Sequence, residues 1–167
     1  MSTLAIRKFP DPLLKQPTRV VEQVDDEVTR LVDALVRTMR HYPRCVGLAA
    51  PQVGSNLRIA VMDATGHPKA STGHGLLVFI NPRIEVRAGA IIQREGCLSI
   101  PDLTANVRRA TRIRLTAVDR VGTPHEWWLD GFEAIIAQHE IDHLEGRLFL
   151  DRIANLKTDV FRRKTYF

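Results

Sequence analysis

The stretch GFEAIIAQHEIDHLEG, residues 131–146, decides how the chain is read. Phe132, Ile135, Ile136, His139 and His143 recur at helical spacing and fall on one face. Asp130 followed by Glu133 reads as a capping box, and Gly146 as the glycine that closes the far end, so the pattern predicts a helix from Gly131 to Glu145. Both imidazoles then point inward among isoleucines, where they need polar partners, and a metal ion can supply them. His139-Glu140-Ile141-Asp142-His143 fits HExxH, in which histidines four apart converge on one metal while the glutamate sits close enough to handle a proton from water. Histidines that merely filled a core would have no use for that glutamate. A purely structural metal site would usually be closed by four protein ligands.

A catalytic site needs a third protein ligand and an open position. The downstream answers fail: HExxHxxGxxH requires histidine at 149, which is Phe149, and beyond Glu145 the chain holds no glutamate or histidine, only Asp151 and Asp159. Upstream stand His41, His67, His74, His125, Cys45 and Cys97. His67 and His74 fall in a Gly- and Pro-rich stretch between Ala64 and Gly75 that reads as a solvent-facing surface loop. Cys97 has better company in EGCLSIP, residues 95–101, read as a loop: Gly96 permits close backbone approach, Pro101 stiffens the exit, and a thiolate suits zinc or ferrous iron.

Outward from this region, Val28, Leu31, Val32, Leu35 and Met39 follow Asp25, Asp26 and Glu27, which predicts an N-terminal amphipathic helix over 26–41. Pro43 ends it, and CVGLAAPQVG, 45–54, reads as a loop. Strand-like runs follow at 57–62, 76–80, 84–86, 113–118 and 126–129, the last two flanking a turn at Val121–Pro124 that predicts an antiparallel hairpin. The expected class is α+β, with short antiparallel sheets packed around a central HExxH-bearing helix, in a single domain over 1–167.

Composition narrows the function. The 167 residues are 44% hydrophobic, enough for one core, and no apolar run approaches the ~20 residues of a membrane span. The start, MSTLAIRKFPDPLLKQP, lacks the features of a signal peptide, so a soluble intracellular protein is expected. Two cysteines are too few for a disulfide scaffold. The net charge of +5 comes from scattered arginines with clusters at Arg108/Arg109 and Arg162/Arg163/Lys164, read as a solvated basic surface. An aromatic content of 6% and the lack of RNP, KH, zinc-finger or helix-turn-helix signatures speak against a dedicated nucleic-acid reader.

Three segments, CVGLAAPQ, EGCLSIP and QHEIDH, resemble in order and spacing the three motifs of the peptide deformylase family, hydrolases that remove the formyl group from the formyl-methionine of nascent chains. The resemblance covers essentially the whole chain. It implies Cys97, His139 and His143 as ligands of one divalent metal ion, ferrous in the cell, with zinc, nickel or cobalt accepted. It implies Glu140 as the proton-handling group, with the Gln52 side-chain amide and the Leu98 N–H as donors to the developing oxyanion. The methionine pocket falls to Val46, Ile135 and Ile136, and Gly47 to backbone pairing with the substrate. Cys45 stands where bacterial members usually carry glycine, a change that would narrow the substrate groove or alter the loop backbone. A bacterial cytoplasmic monomer is expected, with the basic end, Lys157–Lys164, as a short helix near the ribosomal exit tunnel. The competing readings are a zinc peptidase, which lacks a third ligand here, and a noncatalytic RNA-binding module, which would not need Glu140 or Gln52.

Overall fold

The computed structural model describes residues 2–71 and 73–164. Helix α1, Asp26–His41, begins where the Asp25 carboxylate accepts the Val28 N–H at 2.9 Å. Asp26 and Glu27 occupy its first turn and Arg40 and His41 its last, matching the helix dipole at both ends. Val28, Val32, Leu35 and Met39 are its buried stripe, packed with Leu48, Ile59, Val61 and Ile80.

Strand β1, Gly47–Ala49, leads into a one-turn 3-10 helix, Ala50–Val53, and then to β2, Ile59–Met62, and β3, Leu77–Ala88. The tandem 45–54 is therefore not all loop. β3 also absorbs the two runs expected at 76–80 and 84–86. Asn81-Pro82 between them looks like a break, yet Asn81 takes φ +54 and clamps the Val21 backbone with both ends of its amide, at 2.8 Å each. The strand passes through this irregularity with a register shift and continues.

A hairpin that the sequence reading did not anticipate follows, β4, Ile91–Cys97, and β5, Ile100–Arg109. Polar and charged residues crowd both strands, which hides their alternation. EGCLSIP is thus the tip of this hairpin rather than a free loop. β6, Arg112–Val118, and β7, Pro124–Asp130, form the expected antiparallel hairpin, its turn held by the Asp119 carboxylate on the Val121 and Thr123 N–H groups.

Helix α2, Gly131–Leu144, ends with Gly146 at φ +73, and the Arg147 N–H returns to the Asp142 carbonyl. Its start differs from expectation. Asp130 is the N-cap residue but caps nothing with its side chain, and Glu133 is turned away to bind the His74 N–H and ring. Nor is α2 buried on one face alone: every residue from Glu133 to Leu144 except His139 is buried, and His139 is nearly so. Strands of the five-stranded sheet pack against it, and β4 and β5 reach it through Glu95 on His139 and Arg109 on Asp142.

The chain closes with a single turn, α3, Leu156–Asp159, and β8, Val160–Arg162, which pairs with β5. A helix through Lys164 does not form, because Val160 and Phe161 are taken into the sheet edge. The result is an α+β architecture with one five-stranded antiparallel sheet, β1-β2-β3-β6-β7, and one three-stranded antiparallel sheet, β4-β5-β8. Among the described residues no helix is long and apolar enough to cross a membrane.

Candidate metal centre and active-site cavity

α2 presents His139 and His143 one turn apart, and the β4–β5 hairpin tip brings Cys97 against them. The three donor atoms lie within 4.8 Å of one another, with Cys97 Sγ 3.3 Å from His143 Nε2. Cys97 is therefore the residue, of the six candidates, that joins the histidines. His41 ends α1, His125 pairs with Asp119 at 2.7 Å, and His74 pairs with Glu133 at 2.8 Å.

The donor set fits a divalent transition metal: one soft sulfur and two imidazoles converge, leaving room for a further ligand on the cavity side. Burial holds His143 well below its usual range, so it offers a neutral ring. Among the described residues, Glu140 Oε2 and His143 Nδ1 are buried atoms of this cluster left without a hydrogen bond. An unpaired carboxylate oxygen this deep is a place for a reacting water.

A buried ion network orients the first of these histidines. His139 Nδ1 lies 2.8 Å from Glu95 Oε1, and Arg109 grips the same carboxylate twice, Nε at 2.7 Å and Nη2 at 2.9 Å. Burial by itself would lift the Glu95 carboxyl, but Arg109 and His139 together hold it down at about 2. An ionised Glu95 keeps the proton on His139 Nδ1 and turns Nε2 toward the metal position. Arg109 Nη1 reaches on to Asp142 Oδ2 at 2.6 Å, and Arg152 holds both Asp142 oxygens, at 2.7 and 3.1 Å. Arg109, read in sequence as part of a solvated basic cluster, is 4% exposed. Glu95 and Asp142 sit beside the motif residues Cys97 and His143, so their proximity was legible; the arginines that bind them were not.

Glu140 follows His139 and turns into the cavity. Burial pushes its carboxyl up to about 7, with His139 opposing and Glu95 adding to the rise. Gly47 makes its position possible: a Cβ there would lie 2.5 Å from Glu140 Oε1 and 2.9 Å from its carboxyl carbon. Gly47→Ala should therefore swing the carboxylate aside and lower kcat/KM by about 10²-fold without changing metal content, checked by steady-state kinetics beside metal analysis. Full activity in that variant would show that the close fit does not matter.

Gln52 is 2% exposed and fixed at both ends. Its Oε1 accepts the Ala49 N–H at 3.0 Å, which aims Nε2 at Cys97 Sγ, 3.4 Å away, and Ser99 Oγ, 3.2 Å away. Leu98 occupies the hairpin turn beside it. Gln52, Leu98, Val46, Gly47, Ile135 and Ile136 all line one cavity of about 450 Å³ together with Cys97, His139 and Glu140. Phe132 and His67, their rings stacked at 4.4 Å, complete its apolar wall. His67 is thus part of the cavity although its loop looked merely solvent-facing; a ring stacked across distant segments leaves no mark in local spacing.

Cys45 also lines the cavity and donates its thiol to the Gly47 carbonyl at 3.2 Å. Burial, with Glu140 adding to it, pushes this thiol up to about 12, so it stays protonated. The left-handed residue in this turn is Arg44, φ +66, and not Cys45, so the backbone accepts a side chain at 45 without strain.

The polypeptide deformylase family model matches residues 3–159. A peptide deformylase from Alkalilimnicola ehrlichii is 46% identical over 98% of this chain and 89% of its own length. One from Pseudomonas aeruginosa is 42% identical over 98% and 95%. Among solved structures, a peptide deformylase from Legionella pneumophila superposes with a TM-score of 0.84 at 38% identity, covering 93% of this chain and 89% of that one.

Proposed function

Since the chain belongs to the peptide deformylase family, whose metal-dependent removal of the N-terminal formyl group from nascent polypeptides is its reaction, we propose the following roles for its residues. The observation that carries them is the convergence of Cys97, His139 and His143 beside a buried, unpartnered Glu140 oxygen.

Cys97, His139 and His143 hold the divalent ion, ferrous iron in the cell, with zinc, nickel or cobalt accepted by the same donors. Bound there, the ion supplies Lewis acidity to a water molecule and to the formyl carbonyl. Glu140 takes a proton from the water at its unpartnered oxygen as the water oxygen bonds to the formyl carbon. Gln52 Nε2 and the Leu98 N–H donate to the carbonyl oxygen as it gains charge, and the fixed Gln52 amide needs no reorganisation to do so. Glu140 then returns the proton to the amide nitrogen, the C–N bond breaks, and formate and a free N-terminal amine leave.

Val46, Ile135 and Ile136, with Phe132, receive the methionine side chain. β1 is the edge of one sheet and β4 the edge of the other, and both line the cavity through Gly47 and Gly96. An extended peptide entering between these edges pairs through its backbone, which reads many nascent chains alike. The chain acts as one catalytic domain and as a monomer in the bacterial cytoplasm, where formylated nascent chains arise. Its exposed basic segment, Lys157, Arg162 and Lys164, is the surface we assign to ribosome contact, presented on α3 and β8 rather than on a long helix.

The test is formate release from formyl-Met-Ala-Ser by protein loaded anaerobically with ferrous iron, beside metal-stripped protein. Release by the loaded form alone is the expected result. No release at full metal occupancy would mean that the site is structural or serves another substrate.

A further inference from the structure

The cavity's rim differs in character from its floor. Arg44, Lys69, Arg94 and Arg163 all line it, whereas the carboxylates in the same lining are Glu95 and Glu140, both buried at the floor. Glu95 is already bound by Arg109 and His139. Arg44, Lys69 and Arg94 are exposed, and the contacts that hold the last two are with neutral groups. The Arg94 guanidinium lies 3.5 Å from the centre of the Phe161 ring and Nε donates to Asn106 at 3.0 Å; the Lys69 ammonium stands 5.9 Å from the centre of the Phe132 ring. These contacts fix the cations in place without cancelling their charge. The rim therefore presents positive charge from three directions: the turn before β1, the loop after β2, and β4 itself.

The strand geometry says which part of a substrate meets it. Arg94 is two residues from Gly96 on β4, on the same face and roughly 7 Å farther from Cys97. Arg44 stands three residues before Gly47 on the opposite wall. A peptide extended between the two edges, with its formyl-methionine at the floor, carries its next side chains past these cations at roughly 3.3 Å per residue. Formylation has already removed the charge of the substrate's amine, so side chains are what remains for the rim to read.

We propose that this rim makes the chain selective for formyl-methionyl peptides bearing an acidic side chain at the second to fourth position, and disfavours basic ones there. The proposal rests on the deformylase reading above. It is an electrostatic selection, felt mainly in productive encounter and binding and weakened by salt.

The metal-loaded protein is given three C-terminally amidated peptides, formyl-Met-Ala-Glu, formyl-Met-Ala-Gln and formyl-Met-Ala-Lys. At low ionic strength kcat/KM should fall in that order, with the Glu peptide about 10-fold above the Lys peptide, the difference lying in KM. The ratio should shrink toward unity at about 0.5 M salt, and also in the double variant R94E/K69E, which sets two carboxylates against the two lining cations that remain, Arg44 and Arg163. Turnover of the Gln peptide with Glu and Lys peptides within about twofold of each other would overturn the proposal alone. So would an unchanged ratio in R94E/K69E. If none of the three peptides is turned over, the deformylase reading falls and takes this proposal with it.

Discussion

Glu140→Ala should retain its metal and lose about 10²- to 10⁴-fold in kcat. Among the described residues, Glu140 is the carboxylate of the cavity with a buried oxygen left without a hydrogen bond. The other, Glu95, has its oxygens committed to Arg109 and His139 and is held ionised at about 2, too acidic to carry a proton through a cycle near neutrality. Nor is Glu140 among the three residues whose donor atoms converge to the proposed metal position. Removing it therefore separates two properties that loss of a ligand would remove together: Cys97→Ala should weaken metal binding itself. Metal content by elemental analysis and formate release on the same samples make the comparison. Full turnover by Glu140→Ala would end the proton-transfer assignment.

Arg109→Leu should destabilise the fold by about 3–5 kcal/mol, a fall in Tm of roughly 6–20 °C for a chain of this size. The guanidinium is buried between two carboxylates and gives both of them hydrogen bonds of 2.6 to 2.9 Å. Without it Glu95 has no cation except the metal-facing histidine, and Asp142 keeps only Arg152, which is far more exposed. A leucine fills space but leaves those carboxylates facing a low-dielectric interior. The same change frees the His139 ring, so metal affinity in any folded fraction should fall by about 10- to 100-fold. Arg108→Leu is the matched control, because Arg108 is exposed on the neighbouring position of β5 and should change stability little. Equal Tm for the two variants would show that the buried network contributes nothing net.

Much of the metal cluster was readable before any fold was known, because two of its three members lie on one helical turn. The four-residue spacing of His139 and His143 is a local property, and elimination left Cys97 the best of the upstream donors. The N-terminal helix was readable for the same reason: Asp25, the acidic first turn and the apolar stripe all act within a few residues of one another. The β4–β5 hairpin escaped because its strands carry Gln93, Arg94, Glu95, Asp102, Asn106 and Arg108 among their apolar residues, and the partner that buries one of those charges is another strand or α2. Polarity read along the chain says surface. Paired across the hairpin, Glu95 and Arg109 become interior.

Residue order alone already defines the chemistry on offer: a helix able to present two imidazoles, a nearby carboxylate, a cysteine between a glycine and a hydrophobic residue, and a chain rich in arginine. Those follow from short-range periodicity and residue type. What each group does with its neighbours is set by the folded packing. It sets Gly47 so close to Glu140 that no side chain fits between them, and it aims the Gln52 amide by tying its other end to Ala49. It also divides the arginines, burying Arg109 as the partner of two carboxylates and leaving Arg44 and Arg94 as open charge at the cavity mouth. The reason is physical: burial and electrostatic pairing depend on distance in space, and residues 47 and 140, or 95 and 109, acquire that distance only when the chain folds.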